Sequence, residues 1–208
     1  MISTIRFASV DTKDAAAARL GAVNTIKFAS DTISGHNTDG RGFIDSLSTT
    51  RDWASGPALV LGAGGAARAI VGALLDVGIS DIRVSNRTRA RADALAELAD
   101  TADNSGAVRV FDWDARAQAG ENATLLVKTT SLGMHGAPSL DMPLDSLVAT
   151  EAVKATVADI VYVPLQTDLL ARAAQRGLAP VNGLGMLVHQ AAHACLLYTS
   201  DAADDIPR

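Results

Sequence analysis

The rhythm of apolar and polar positions changes at Ala58. From there on, short apolar runs alternate with stretches in which apolar side chains recur every three or four residues. Ala58–Leu61, Asp81–Ser85, Ala107–Phe111, Thr124–Lys128 and Val157–Tyr162 read as strands. The four apolar residues of Ala58–Leu61 read as a buried strand. Ala66, Ala69, Ile70 and Leu74 share one helical face, and Ala90–Ala99 reads as a second helix. Asp114 to Asn122 is polar and alanine-rich, a helix leading into a loop. Pro164 ends the fifth strand, Thr167 caps a helix over Asp168–Arg176, and Gly177 stops it. Pro180-Val181-Asn182-Gly183 reads as a turn, and Leu184 to Ala194 as a last amphipathic helix. Strand and helix in alternation predict an α/β fold with a doubly wound parallel sheet of the Rossmann type.

Before Ala58 the elements are shorter. Met1 to Val10 shows only a weak alternation at Ile2, Thr4, Ile5 and Phe7. Asp11 to Leu20 reads as a helix with Asp11 or Thr12 as N-cap and Gly21 as C-cap. Ala22 to Phe28 alternates as a strand, Ser30-Asp31 marks a turn, and Ile33 to Asn37 is a second strand. Thr38-Asp39-Gly40 punctuates it, and Phe43, Ile44 and Leu47 fall on one face of the following helix. The polar stretch Thr49 to Gly56 reads as a hinge.

The glycine-rich turn gives the first chemistry. Gly62-Ala63-Gly64-Gly65-Ala66-Ala67 lies between a predicted strand and a predicted helix, the context in which G-x-G-x-x-G/A signals dinucleotide binding. Gly62 allows the tight turn, Gly64 lets the backbone approach a pyrophosphate, and small Ala67 permits close helix–strand packing. A plain tight turn is the alternative. The end of the second strand discriminates further. An NAD site places an acid there, for the ribose hydroxyls. This chain has Asn86-Arg87-Thr88-Arg89-Ala90-Arg91 instead. Guanidinium groups fit the oxygens of a 2′-phosphate, which a carboxylate would repel. Arg87, Arg89 and Arg91 therefore point to NADP over NAD. A solvated basic helix start is the alternative, although basic charge has the wrong sign for a helix N-terminus.

Composition narrows the classes. The chain has 208 residues, 48% of them hydrophobic, with net charge −5, enough for one full domain and part of a second. The acidic balance argues against nucleic acid as a partner, and no apolar run is long enough to span a membrane. Cys195 is the only cysteine, so no internal disulfide forms and the cytoplasm is the expected compartment. His189 and His193 are four apart on one predicted helix, but no third ligand cluster accompanies them. They are read as packing or solvent-facing residues, and no metal is expected.

Several segments, in order, resemble the shikimate dehydrogenase family. These are Gly21-Ala22-Val23-Asn24-Thr25, His36-Asn37-Thr38-Asp39-Gly40, Gly62-Ala63-Gly64-Gly65-Ala66, Asn86-Arg87-Thr88 and Thr129-Thr130-Ser131-Leu132-Gly133-Met134. Asp159-Ile160-Val161-Tyr162-Val163-Pro164 and Asn182-Gly183-Leu184-Gly185-Met186-Leu187-Val188-His189-Gln190-Ala191 complete them. The resemblance implies reversible, NADP-dependent reduction of 3-dehydroshikimate to shikimate, a step of aromatic amino-acid biosynthesis. By motif, Asp39 is the catalytic aspartate, and Asn24, Asp39, Tyr162 and Gln190 bind substrate. Gly62, Ala63, Gly64, Gly65, Ala66, Asn86, Arg87, Thr88, Arg91, Ile160 and Gly183 bind cofactor, the last two at the nicotinamide. On local sequence alone, Asp39 is equally a turn residue before Gly40, and Gln190 an ordinary surface residue. Asn24 in a strand is harder to dismiss, because asparagine is depleted there. A quinate/shikimate paralogue using NAD and a non-catalytic dinucleotide-binding module are the alternatives.

The resemblance implies four regions. Residues 1–50 are the remnant of a truncated α/β substrate domain, 51–181 the NADP domain, 182–194 a helix returning to the first, and 195–208 a non-native, mobile tail. The family's Asn-Val-Thr-x-Pro-x-Lys segment and its Ser-x-Ser loop have no counterpart near Met1-Ile2-Ser3-Thr4. Lys13, in a predicted helix, and Lys27, at the far end of a strand, are not expected to replace its lysine. A fragment with little activity is expected, since Asp39 then lacks its cation. Exposed strand edges would favour aggregation or a homodimer. Lys128 stands where the family has Asn, and must reach solvent or an anion: it either touches cofactor phosphates or disturbs the nicotinamide loop. After Ala194, Cys195 to Asp205 resembles a translated sequencing adaptor.

Overall fold

The structure, a computed structural model, describes residues 10–29, 31–48, 50, 52–100 and 106–202. The alternation at Met1–Phe7, the turn residue Ser30, Thr49 and Arg51 of the hinge, and residues 203–208 lie outside the described residues.

The first sheet has three strands: β1 (Thr12–Lys13), β2 (Thr25–Ala29) and β3 (Thr32–His36). β3 lies in the middle, parallel to β1 and antiparallel to β2. Helix α1 (Ala15–Leu20) is shorter than expected, and its N-cap is neither Asp11 nor Thr12. The Asp11 backbone bonds to Ile33 and Thr12 pairs with Ser34, so the chain is extended there. Asp14 is the cap, accepting from the Ala17 N–H at 2.6 Å. Lys13 thus lies in a strand and not in a helix. Gly21 ends α1 in the left-handed conformation, φ 64°, as expected. Helix α2 follows at Asp39–Ser46, so Asp39 opens a helix instead of making a turn.

The second sheet comprises β4 (Ala58–Leu61), β5 (Ile82–Ser85), β6 (Val108–Phe111), β7 (Leu125–Lys128), β8 (Thr156–Asp159) and β9 (Ala179–Asn182). All pairs are parallel, in the order β6-β5-β4-β7-β8-β9. This is the doubly wound Rossmann order, with its switch point between β4 and β7. Successive strand residues face opposite layers. Ala58 and Val60 join a core with Ile70 and Leu74 of α3 (Gly65–Asp76), while Leu59 and Leu61 join one with Leu169 and Leu170 of α6 (Asp168–Gln175). The first core also takes in Leu20, Phe43 and Leu47, so the segment before Ala58 shares apolar packing with the large sheet. Helix α4 runs over Arg89–Asp100, and the region from Trp113 is a 3-10 turn followed by α5 (Arg116–Ala119).

Three expectations change. Pro180 is not in a turn: it pairs with Val157 in β9 at the sheet edge, where a missing N–H faces no further strand. β8 stops at Asp159, because the Asp159 carboxylate takes the Val161 N–H at 3.0 Å and turns the chain. The last helix, α7, does not end at Ala194. It runs over Gly183–Ala202, and the Tyr198 hydroxyl donates to the Ile26 carbonyl of β2, so residues 195–202 are helical.

Candidate functional site

The glycine turn joins β4 to α3. Gly62 has φ 113°, and a Cβ there would fall on the Thr129 side chain, so this position requires glycine. Cβ atoms at Gly64 and Gly65 would meet nothing, leaving open space beside the first turn of α3, whose unpaired N–H groups suit an anion. Ala63 and Ala66 are partly buried and Ala67 is fully buried. Gly64 and Gly65 share a cleft of about 380 Å³ with Arg68, Arg91 and Leu95. Arg87, Thr88 and Arg91 are exposed at the end of β5, and Asn86 closes that turn by donating to the Thr88 carbonyl at 2.9 Å. Arg89 is engaged by Asp93 and Asp112, which offset its charge at the start of α4. Arg87 and Arg91 form no ion pair among the described residues. The segment Asn86–Arg91 itself contains no acidic residue. Gly turn, open helix start and free guanidinium groups fit a 2′-phosphorylated dinucleotide.

Asn24 and Asp39 are brought into contact. Asn24 precedes β2 instead of lying within it, with its N–H bonded to the His36 carbonyl. Its Nδ2 donates to Asp39 Oδ1 at 2.8 Å and to Thr38 Oγ1 at 3.2 Å, while its Oδ1 accepts the Thr38 N–H at 3.0 Å. Asp39 is 8% exposed and forms no ion pair among the described residues. Burial pushes its carboxyl above the usual 3.8, opposed in part by the Asn24 hydrogen bond. A buried carboxyl beside an amide can hold or pass a proton at a bound oxygen.

Two glycines of α2 fix where Asp39 sits. A Cβ at Gly40 would lie 2.7 Å from the Ala69 carbonyl oxygen of α3, and one at Gly42 would lie 2.5 Å from the Gln190 nitrogen and 2.8 Å from its Cα. The start of α2 is therefore wedged between the helix of the glycine turn and the helix carrying Gln190. Gly42→Ala is expected to cost about 1–3 kcal/mol by overpacking. Urea denaturation reads this, and a change below about 0.5 kcal/mol would show that α7 yields freely. Gln190 itself is partly exposed, its amide donating to the Leu187 carbonyl at 3.0 Å. Tyr162 is 46% exposed and makes no hydrogen bond among the described residues. Ile160 and Gly183 are in direct backbone contact: a Cβ at Gly183 would fall on the Ile160 carbonyl.

Lys128 does reach an anion, but one inside the protein, and it is shut off from solvent. Its ammonium pairs with Asp159 at 2.8 Å, and both groups are buried. Sequence reasoning missed this pair, and the buried Thr130 hydroxyl that has no partner among the described residues. A lysine closing an apolar strand was the signal for the first. His193 pairs with Asp45 of α2, a packing role. A larger cleft of about 510 Å³ between α1, α2 and α3 contains neither Asn24 nor Asp39 nor the turn glycines. Among the described residues no helix is long and apolar enough to cross a membrane.

Known proteins share this layout. A family model described as shikimate / quinate 5-dehydrogenase matches residues 46–128. A shikimate dehydrogenase (NADP(+)) of Paramagnetospirillum magneticum is 53% identical over 186 residues, covering 88% of this chain and 64% of that protein. One from Rhodospirillum rubrum is 50% identical over 187 residues, with the same coverage of 88% and 64%. The chain thus spans slightly less than two thirds of these curated relatives. The solved structure of quinate dehydrogenase from Corynebacterium glutamicum in complex with NAD superposes with a TM-score of 0.82 at 30% identity, covering 92% of this chain and 67% of that one. Shikimate 5-dehydrogenase from Thermus thermophilus, solved with NADP(H) and shikimate, gives 0.78 at 36% identity, covering 93% of this chain and 68% of that one. Sequence identity of this order along nearly the whole chain, on one shared architecture, makes the assignment: the chain belongs to the shikimate dehydrogenase family.

Proposed function

We propose that this chain carries the cofactor site and part of the substrate site of an NADP-dependent shikimate dehydrogenase, interconverting 3-dehydroshikimate and shikimate. The observation that carries this is the cleft in which Arg91 meets Gly64 and Gly65, with no acidic residue in the segment Asn86–Arg91. The bound cofactor would supply the hydride as NADPH when the ketone is reduced, and accept it as NADP+ when shikimate is oxidised. Gly62 to Ala66 and the start of α3 receive its pyrophosphate, Asn86, Arg87, Thr88 and Arg91 its adenosine 2′-phosphate, and Ile160 and Gly183 border its nicotinamide. Asn24 and Gln190 hold substrate hydroxyls, Tyr162 borders the ring, and Asp39 holds the proton at the reacting oxygen. Residues 1–50 form the substrate side, 51–181 the cofactor domain, and the helix from 182 returns to the first. The enzyme is cytoplasmic, acts on a small molecule without nucleic acid, and pairs as a homodimer. Cofactor binding is the primary test.

Fluorescence titration is expected to give NADPH at least ~10-fold tighter binding than NADH, because charge-assisted bonds to phosphate are worth about 1.5–3 kcal/mol. Arg91→Ala should remove most of that preference and leave NADH binding unchanged. Equal affinities in the unmodified chain would refute the NADP reading. NADPH binding with no response to shikimate would favour a non-catalytic module.

A further inference from the structure

Lys128 and Asp159 form a buried ion pair that the proposed chemistry leaves without a role. They lie opposite each other in the β7–β8 register, at the carboxyl ends of both strands, and are 1% and 0% exposed. Lys128 Nζ also donates to the Thr130 carbonyl at 3.2 Å. Asp159 Oδ1 accepts the Val161 N–H at 3.0 Å, and its Oδ2 accepts the Thr167 hydroxyl at 2.7 Å. Thr129 in turn donates from its N–H and its hydroxyl to the Leu61 carbonyl, at 2.8 and 2.9 Å. These bonds therefore join the end of β4 to the loops that follow β7 and β8, on the side of the sheet where doubly wound folds bind dinucleotides.

Burying two charges is costly unless geometry and further hydrogen bonds compensate, and apolar residues of similar size often serve stability as well. Stability alone gives no reason for charge here. What the pair does, and an apolar pair would not, is hold a carbonyl in one loop and an N–H in the next at fixed separation. Those loops carry Ile160, with the Gly183 backbone beside it, and the Thr130 hydroxyl, which has no partner among the described residues. We propose that Lys128 is a positioning residue for the nicotinamide half of the cofactor, tying Thr130 to Asp159 so that both loops present one fixed surface. This rests on the dinucleotide reading of the same site. Lys128 touches no cofactor and acts through its partners.

The test separates the two halves of the ligand. NADPH and adenosine 2′,5′-bisphosphate are titrated into the full chain, into Lys128→Met, and into the neutral double variant Lys128→Met/Asp159→Asn, which leaves no bare carboxylate should the single variant fail to fold. NADPH affinity is expected to fall ~10-fold in either variant while the bisphosphate stays within about twofold. Equal weakening of both ligands, or of neither, would overturn the positioning role. If the unmodified chain binds neither ligand, the dinucleotide reading fails and this one with it. If it binds both and the variants show no split, only the role of Lys128 fails.

Discussion

Gly183→Ala is expected to cost about 3 kcal/mol or more of stability, the upper end of the overpacking range and a large share of the ~5–15 kcal/mol that holds a domain folded. The added Cβ would fall on the carbonyl oxygen, carbon and Cα of Ile160, all backbone. No side chain can rotate away. Ile160 cannot retreat either, because its N–H bonds to the Lys128 carbonyl at 3.2 Å, and Gly183 bonds to the Val161 carbonyl at 3.1 Å. The strain must open the end of β9 or displace α7, which brings Met186 to the main core and Gln190 to Gly42. Urea unfolding measures the loss, and a cost under about 1 kcal/mol would mean that the two backbones separate easily. Gly64→Ala is the contrasting control. Its Cβ meets no protein atom, so stability should hold within about 0.5 kcal/mol while NADPH affinity falls.

The contrast between these glycines shows which parts of the molecule can be read along the chain. β4 and β7 are buried on both faces, and their apolar runs Ala58–Leu61 and Leu125–Val127 identify them, while β5 shows itself by the alternation of Ile82 and Val84 with Arg83 and Ser85. The glycine turn and the Asn86–Arg91 stretch are local, and their chemistry follows from residue type and spacing. β9 is different: Pro180 looks like a turn until the sheet order places it at an edge. Asp14 outcompetes Asp11 as a cap because β1 pairs with β3, a strand that comes later in the chain. The anion that Lys128 requires is Asp159, one strand away in register but 31 positions on in sequence. Gly40, Gly42 and Gly183 are required by backbones of other elements, and no local pattern reports such approaches. Asn24 and Asp39 were identifiable by motif, while the 2.8 Å bond between them and the burial that perturbs Asp39 depend on how α2 packs.

Asp39→Asn is expected to lower turnover by about 10²–10⁴-fold, the usual worth of a positioned acid or base, while making the protein more stable at neutral pH. Burial raises the Asp39 carboxyl above the usual 3.8, and the Asn24 hydrogen bond offsets only part of this. The folded chain therefore keeps this proton to higher pH than the unfolded chain does. Between the two pKa values the folded state binds more protons, and stability falls as pH rises. Above the folded value the full penalty of a buried carboxylate applies. Asparagine carries no such penalty, and its side-chain oxygen can still accept from Asn24 Nδ2. Thermal melts should show the variant melting higher than the unmodified chain at pH 7–8, with the gap shrinking as pH approaches 4. A variant that melts lower at pH 7, or a gap independent of pH, would mean that the Asn24 bond outweighs burial. Catalytic loss with stability gain at one residue is the signature of a group kept for chemistry and not for the fold.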